Sequence, residues 1–425
     1  MIWTRFADDV NRCNPSLTRG SFPSKKSRVE AHVLEWLNLI VRWFHVITGI
    51  AWIGTSFYFN WLDSHLAPPP SPRDGVGGEL WMVHSGGFYR VEKFAVTPPT
   101  LPSVLHWFKW EAYATWISGF SLLALVYYFG ARAQLLLSGT APLSAGVTIL
   151  IAIATLVVGW FVYDGLCLSP LGTRPTLFVI VGFFLATGVA FSLSHLMSGH
   201  AAYIHTGALL GTLMAGNVWR RIIPFQRQLV RAAESGGTPD ANFGKRAKQR
   251  SLHNNYMTLP VVFIMLSSHF PSTYGHRFSW LILAGIALIG AGVRHFFNLK
   301  NKGKINVWIM PAATAALVAL VIVTAPARKP PAAASLSEIV PFSEVQRIVH
   351  DRCLSCHSAN PTNPTFPTAP NGVVFDTADA IQTQAERIHV RAVVTRTMPL
   401  ANLTGMTEDE RTLLETWIAQ RARLR

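Results

Sequence analysis

Eight apolar runs follow one another along the chain, at about 34–60, 111–130, 142–163, 175–197, 201–219, 255–270, 279–297 and 306–325. Each approaches the length of about 20 residues that a helix needs to cross a bilayer. Together they predict an all-α, polytopic membrane helix bundle of about eight spans. Only Ser198-Gly199-His200 separates the fourth run from the fifth, which forces a tight antiparallel hairpin. Glycines recur inside the runs, as they do where membrane helices pack closely. The long first connection, 63–110, is rich in aromatic residues and is expected to lie in the bundle mouth or along the membrane interface.

The flanks follow other rules. Residues 1–32 are polar and basic, without the charged-then-apolar layout of a cleavable signal peptide, and read as a disordered extension. Residues 33–326 form the transmembrane domain, and 327–340 a Pro/Ala linker that its prolines keep semi-extended. Residues 341–425 return to the pattern of a soluble domain. Its first helix, Phe342 to Asp351, puts Val345, Ile348 and Val349 on one face. Its last opens with Thr407 as the start of a capping box and Glu410 at the third helical position, followed by the apolar stripe Leu413, Leu414, Trp417 and Ile418.

Charge adds direction. Only 14% of the 425 residues are charged, against a usual fraction of about 25%. The net charge of +15 does not imply a nucleic-acid partner, because the basic residues gather in loops between apolar runs. Connection 220–254 carries Arg220, Arg221, Arg227, Arg231, Lys245, Arg246, Lys248 and Arg250, and connection 298–305 adds Lys300, Lys302 and Lys304. The positive-inside rule makes that side cytoplasmic and the C-terminus periplasmic. The basic N-terminal extension opposes this orientation.

Chemistry enters with Cys353-Leu354-Ser355-Cys356-His357, the attachment signature of a c-type haem. Two thiols at this spacing can bond to the two vinyl groups of one porphyrin, and the histidine then gives the iron a nitrogen ligand. Met398, forty-one residues after His357, can supply a thioether to the opposite iron face. A half zinc site would need further Cys or His close by, and none follows until His389. A thioredoxin-like dithiol would need βαβ surroundings. A helix before the motif and another at the chain end, packed together, predict a class I-like cytochrome c. Haem attachment takes place outside the cytoplasmic membrane, which agrees with the orientation from the loops. Cys13 and Cys167 lie too far apart in sequence and predicted depth for a disulfide.

Ionisable groups inside membrane helices are candidates for function because their burial is costly. Arg42 and His45 share one face of the first helix, in the periplasmic half. His195, His200, His205 and His269 fall at the periplasmic end; His84, His106, His253 and His295 fall at the cytoplasmic end. His45 suits a cofactor ligand, a substrate contact or a proton relay. Arg42 needs an anion, or snorkels to the interface. Of the others, His84, His253, His269 and His295 each sit at a helix end or in a loop and read as interfacial residues or helix-end hydrogen bonders.

The segments Trp36-Leu37-Asn38-Leu39-Ile40-Val41-Arg42-Trp43-Phe44-His45-Val46 and Gly49-Ile50-Ala51-Trp52-Ile53-Gly54 resemble the start of bacterial membrane-bound urate hydroxylases fused to a cytochrome c. So do Gly86-Gly87-Phe88-Tyr89, the run 106–113, the haem motif and the stretch 398–407. The resemblance implies hydroxylation of urate to 5-hydroxyisourate in urate degradation, at the inner membrane, with electrons passing through one covalent haem c. The acceptor is then a respiratory cytochrome oxidase or a soluble cytochrome c. The family's catalytic residues do not carry over position by position. On physical grounds Arg42 and His45, beside Trp43 and Trp52, form the candidate substrate site, and His84, Tyr89 and His106 its rival. A haem b held by two of His45, His195, His205 and His269 could divide the electron pair. The competing function is a non-catalytic, membrane-anchored cytochrome c relaying electrons from a partner dehydrogenase or quinol.

Overall fold

The computed structural model describes residues 25–95, 98, 100–129, 134–136, 143–325, 339–363, 366 and 368–424. Residues 1–24 of the expected extension, 326 at the end of the expected transmembrane domain and 327–338 of the expected linker lie outside the described residues. The first domain is built from α1 (Lys25–His65), α2 (Trp110–Leu123), α3 (Ala145–Leu168), α4 (Pro175–Leu196), α5 (Gly199–Gly216), α6 (Ile223–Glu234), α7 (Ala241–Ser267), α8 (Ser279–Asn301) and α9 (Ile309–Val323). A π-helical turn, Ala124–Tyr128, extends α2, and a second, Asn217–Ile222, carries α5 into α6.

A helix covers each apolar run, but among the described residues four are long and apolar enough to cross a membrane: residues 32–65, α3, α4 and α8. The shortfall from eight has physical causes. α9 has 15 residues and α2 has 14, the first half of α7 is polar, and α5 carries polar groups toward its neighbours. α1 starts at Lys25, well before the expected onset near Leu34. Its 41 residues span about 60 Å, twice the hydrocarbon thickness.

Caps fix the helix starts. Ser144, Ser198 and Asp240 accept hydrogen bonds from backbone N–H groups in the first turns of α3, α5 and α7, and Pro175 opens α4. α5 is the hub, packing on α2, α3, α4 and α7. It fits because its glycines admit close neighbours: a Cβ on Gly199 would sit 2.2 Å from the Tyr274 carbonyl oxygen, and one on Gly207 would sit 2.5 Å from Ile264. Around it α1 exposes Trp43 and Ile50, and α9 buries no residue at all, as suits surfaces bathed in lipid.

The expectation of an all-α chain needs one correction. The first connection holds an antiparallel hairpin, β1 (Val76–His84) and β2 (Gly87–Phe94). Ser85 and Gly86 both have positive φ, as a two-residue type I′ turn requires. Trp81 faces Arg90 across the strands, with the guanidinium 5.5 Å from the ring centroid. Arg73 pairs with Glu79 and Glu92, while Lys93 of the hairpin and Lys248 of α7 both pair with Asp63 of α1.

The C-terminal domain centres on α10 (Phe342–Arg352) and α11 (Glu408–Ala419), whose Val345, Ile348, Val349, Leu414 and Trp417 form one buried core with Ile381 and Ile388. The capping box at Thr407 and Glu410 is present. Among the described residues, this domain meets the bundle at the connection between α7 and α8. Thr395 lies against Gly275 there, and Arg391 reaches the Tyr274 hydroxyl.

Candidate functional site

The Cys-x-x-Cys-His motif prolongs α10 by one turn. The Cys353 N–H donates to the Val349 carbonyl at 2.8 Å, and the His357 N–H to that of Cys353 at 2.9 Å. His357 Nδ1 lies 2.9 Å from the Val373 carbonyl oxygen. A carbonyl only accepts, so Nδ1 carries the proton and Nε2 is left with a free lone pair. Phe375 N–H donates to the His357 carbonyl, and Asp376 accepts from Ser358 Oγ and Ala359 N–H, each at 2.7 Å. Those two bonds hold the Asp376 carboxyl below the usual carboxylate range.

Burial, reinforced by the neighbouring Cys356, pushes the Cys353 thiol up to about 12, and burial also raises Cys356. Both therefore stand as protonated thiols at neutral pH. A reactive redox dithiol needs a lowered pKa, so that alternative does not suit this pair. Among the described residues no group of three His, Cys, Asp or Glu is placed to hold a metal ion. Met398 is held by its backbone: its N–H donates to the Arg391 carbonyl at 3.0 Å, and Arg411 donates to its carbonyl at 3.0 Å. Arg352, beside the motif, forks onto Glu410, while Thr404 Oγ1 donates to the Arg352 carbonyl at 3.0 Å. The motif and the Met398 loop are thus tied to the same helix end.

Under the predicted orientation, the outer end of the bundle carries a file of rings. Trp116 stacks on Phe120 at 5.7 Å between centroids, and Phe120 meets Tyr128 at 6.4 Å. Tyr128 and Tyr127 flank His205 at 5.9 and 5.5 Å, Tyr127 meets His200 at 5.6 Å, and His200 meets Tyr274 at 5.1 Å. The Tyr127 hydroxyl and His200 share a hydrogen bond of 3.0 Å. Tyr274 is the residue Arg391 reaches, so the file ends under the C-terminal domain. His205 is fully buried; Nδ1 donates to the Ala201 carbonyl at 2.8 Å, and Nε2 has no partner among the described residues. The buried Tyr128 hydroxyl is likewise unpartnered.

The remaining sequence candidates are scattered. His45 turns into the seam between α1 and α2, with Nδ1 3.0 Å from both the Thr115 carbonyl and Ser118 Oγ. Arg42 is exposed and donates to Asn38, one turn back, so it does not join His45 in a pocket. His195 is exposed and bonded to the Phe191 carbonyl of its own helix, away from His205. His106 is exposed against Phe108, and no described contact brings it to His84 or Tyr89.

Two polar clusters, in the inner half under the same predicted orientation, escaped the sequence reading. In the first, Arg250 donates to Asp164 at 2.8 Å and to Asn217 at 3.1 Å. Asn217 passes the network to Tyr163 and Asn254, and Arg221 closes it on Asp164. Beside it, Lys109, Tyr113, Trp160, Trp219, Arg220 and Arg227 line a cleft of about 530 Å³. The second cluster joins Arg294 of α8, Asn255 of α7 and Phe57 of α1. A charged residue inside the seventh apolar run was the available signal for Arg294.

Residues 31–325 match the family model described as urate oxidase N-terminal. No curated protein and no solved structure matches the chain.

Proposed function

Because the chain belongs to the urate oxidase N-terminal family, we propose that it hydroxylates urate to 5-hydroxyisourate at the bacterial inner membrane. In this reading residues 341–425 form a periplasmic cytochrome c that carries the electrons toward a respiratory oxidase or a soluble cytochrome c. Urate and one water give 5-hydroxyisourate, two protons and two electrons. The observation that carries the reading is the contact of the two domains. The family-matching bundle presents its file of Trp, Tyr and His rings to the loop that leads into Met398.

The C-terminal residues fit a covalently attached haem. Cys353 and Cys356 are half-buried protonated thiols on one turn, and His357 keeps Nε2 free through its bond to Val373. Cys353 and Cys356 would bond the porphyrin, and His357 and Met398 would supply the protein's ligands to the iron. When bound, such a group accepts electrons one at a time. A second haem in the membrane fits less well. His45 and His205 both keep Nε2 free, yet His205 is flanked by Tyr127 and Tyr128, and a Cβ on Gly119 would lie 3.0 Å from His45. No two of His45, His195, His205 and His269 face one another in a described contact, and no step is derived through such a group.

The chain's own groups divide the remaining work. His205 Nε2 and the Tyr128 hydroxyl are positioned to take up and pass on a proton. The Tyr127–His200 hydrogen bond continues that route to the outer end. Addition of urate to the purified, oxidised protein, with no partner present, should reduce its haem. Reduction by dithionite but not by urate would leave only a membrane-anchored electron relay.

A further inference from the structure

Arg294 sits inside α8 with 6% of its surface exposed. Its Nε–H donates to Asn255 Oδ1 at 2.9 Å, and its guanidinium carbon lies 3.9 Å from the Phe57 ring centroid. Neither contact cancels the charge, and no carboxylate pairs with it among the described residues. Asn255 is fully buried and accepts a second bond, from Asn298 Nδ2 at 2.8 Å. Two donors on Oδ1 fix which way this amide points. Its Nδ2 is therefore a true donor, and it is sealed from solvent without a partner. The cluster has unmet need on the donor side only: a buried cation with no carboxylate partner among the described residues and an orphaned amide N–H. Buried charge persists where it is paired, and an orphaned donor where something accepts from it.

We propose that Arg294, Asn255 and Phe57 form a binding site for a planar organic anion with several acceptor atoms. On the reading above, which this proposal rests on, that anion is the urate monoanion. The guanidinium fork matches two acceptors in one plane, the amide N–H takes a third, and an apolar ring stands beside them. The site lies about 22 Å along α8 from Ser279, in the inner half of the bundle.

The test measures urate binding to the full chain in nanodiscs with its haem reduced by dithionite, so that no turnover occurs. Wild type should bind urate saturably. Arg294→Gln should weaken binding at least 100-fold, and Arg294→Lys about tenfold. Asn255→Asp pairs with Arg294 internally, so it should raise the melting temperature while weakening urate at least 100-fold. This keeps the proposal testable if Arg294→Gln misfolds. An unchanged urate Kd in Asn255→Asp, no binding by wild type, or a loss produced by Arg227→Gln instead would each overturn the site. The two readings fail separately. Binding that depends on Arg294 and Asn255 without urate-driven haem reduction refutes the function alone. Urate-driven reduction at an unchanged KM in these variants refutes the site alone.

Discussion

Glu410 should hold the C-terminal domain together out of proportion to its position at a helix start. Its two oxygens accept from Arg352 Nε at 3.1 and 3.0 Å and from Nη2 at 3.0 Å, and one of them also accepts the Thr407 N–H at 2.8 Å. The carboxylate side chain is 10% exposed and the Arg352 side chain 26%. A fully buried pair broken on one side costs about 3–5 kcal/mol, and an exposed pair about 0.2–1. With a quarter of the guanidinium in water, about 2 kcal/mol is appropriate, and loss of the reciprocal cap adds roughly 0.5–1. Glu410→Ala should therefore cost about 3 kcal/mol, a roughly 100-fold rise in opening of α10 and α11. Hydrogen exchange of the intact protein, read on peptides covering 342–352 and 408–419, reports this directly. Glu410→Gln keeps neutral hydrogen bonds and should lose about tenfold. A change below fivefold in Glu410→Ala, or one shared equally with bundle peptides, refutes the assignment of Arg352–Glu410 as the clasp between the haem motif and α11.

Acid should act through the same group. Burial favours the neutral acid, but Arg352 and the Thr407 N–H outweigh it and hold the Glu410 carboxyl below its ordinary value of 4.5. Its contribution is fully present above that value and is lost as pH falls through the lower folded one, so Glu410→Gln should flatten the acid side of the stability profile. Replacing Cys353 and Cys356 together should abolish covalently bound haem, whereas Met398→Ala should retain it with an altered spectrum; an unchanged spectrum removes Met398 from the iron. Tyr127→Phe should slow urate-driven haem reduction without affecting reduction by dithionite, and equal rates would rule out the Tyr127–His200 route. Reporter fusions within 225–250 should read cytoplasmic and fusions after 338 periplasmic; a shared side would mean that one of the three runs between them, the sixth first of all, does not cross the membrane, and two swapped readings would reverse the orientation.

What the chain declares locally was readable from its letters. The Cys353–His357 motif and the Thr407–Glu410 box each lie within a few residues, so spacing alone carries the geometry. The hairpin at 76–94 was hidden because Gly77, Gly78 and Gly87 interrupt the alternation, although Ser85-Gly86 is a turn signal. Span length misled at α7, where 27 helical residues begin as a polar segment and only then become apolar. Site residues were harder still. Arg42 and His45 share a helical face by periodicity, but which of them meets α2 depends on how two helices are rotated against each other, and only His45 does. Asn255, Arg294 and Phe57 belong to three helices far apart in sequence, so no window of sequence could join them.

The seat of Thr395 on Gly275, with Arg391 on Tyr274, changes what kind of affinity this contact requires. The two domains belong to one chain, so their encounter is intramolecular and does not depend on how dilute the protein is. A docking surface of a few residues, too weak to hold two separate proteins, is then occupied most of the time and still releases readily. On the proposed function, a contact of that kind suits a domain that takes up an electron at the bundle and must then release the bundle to pass it on.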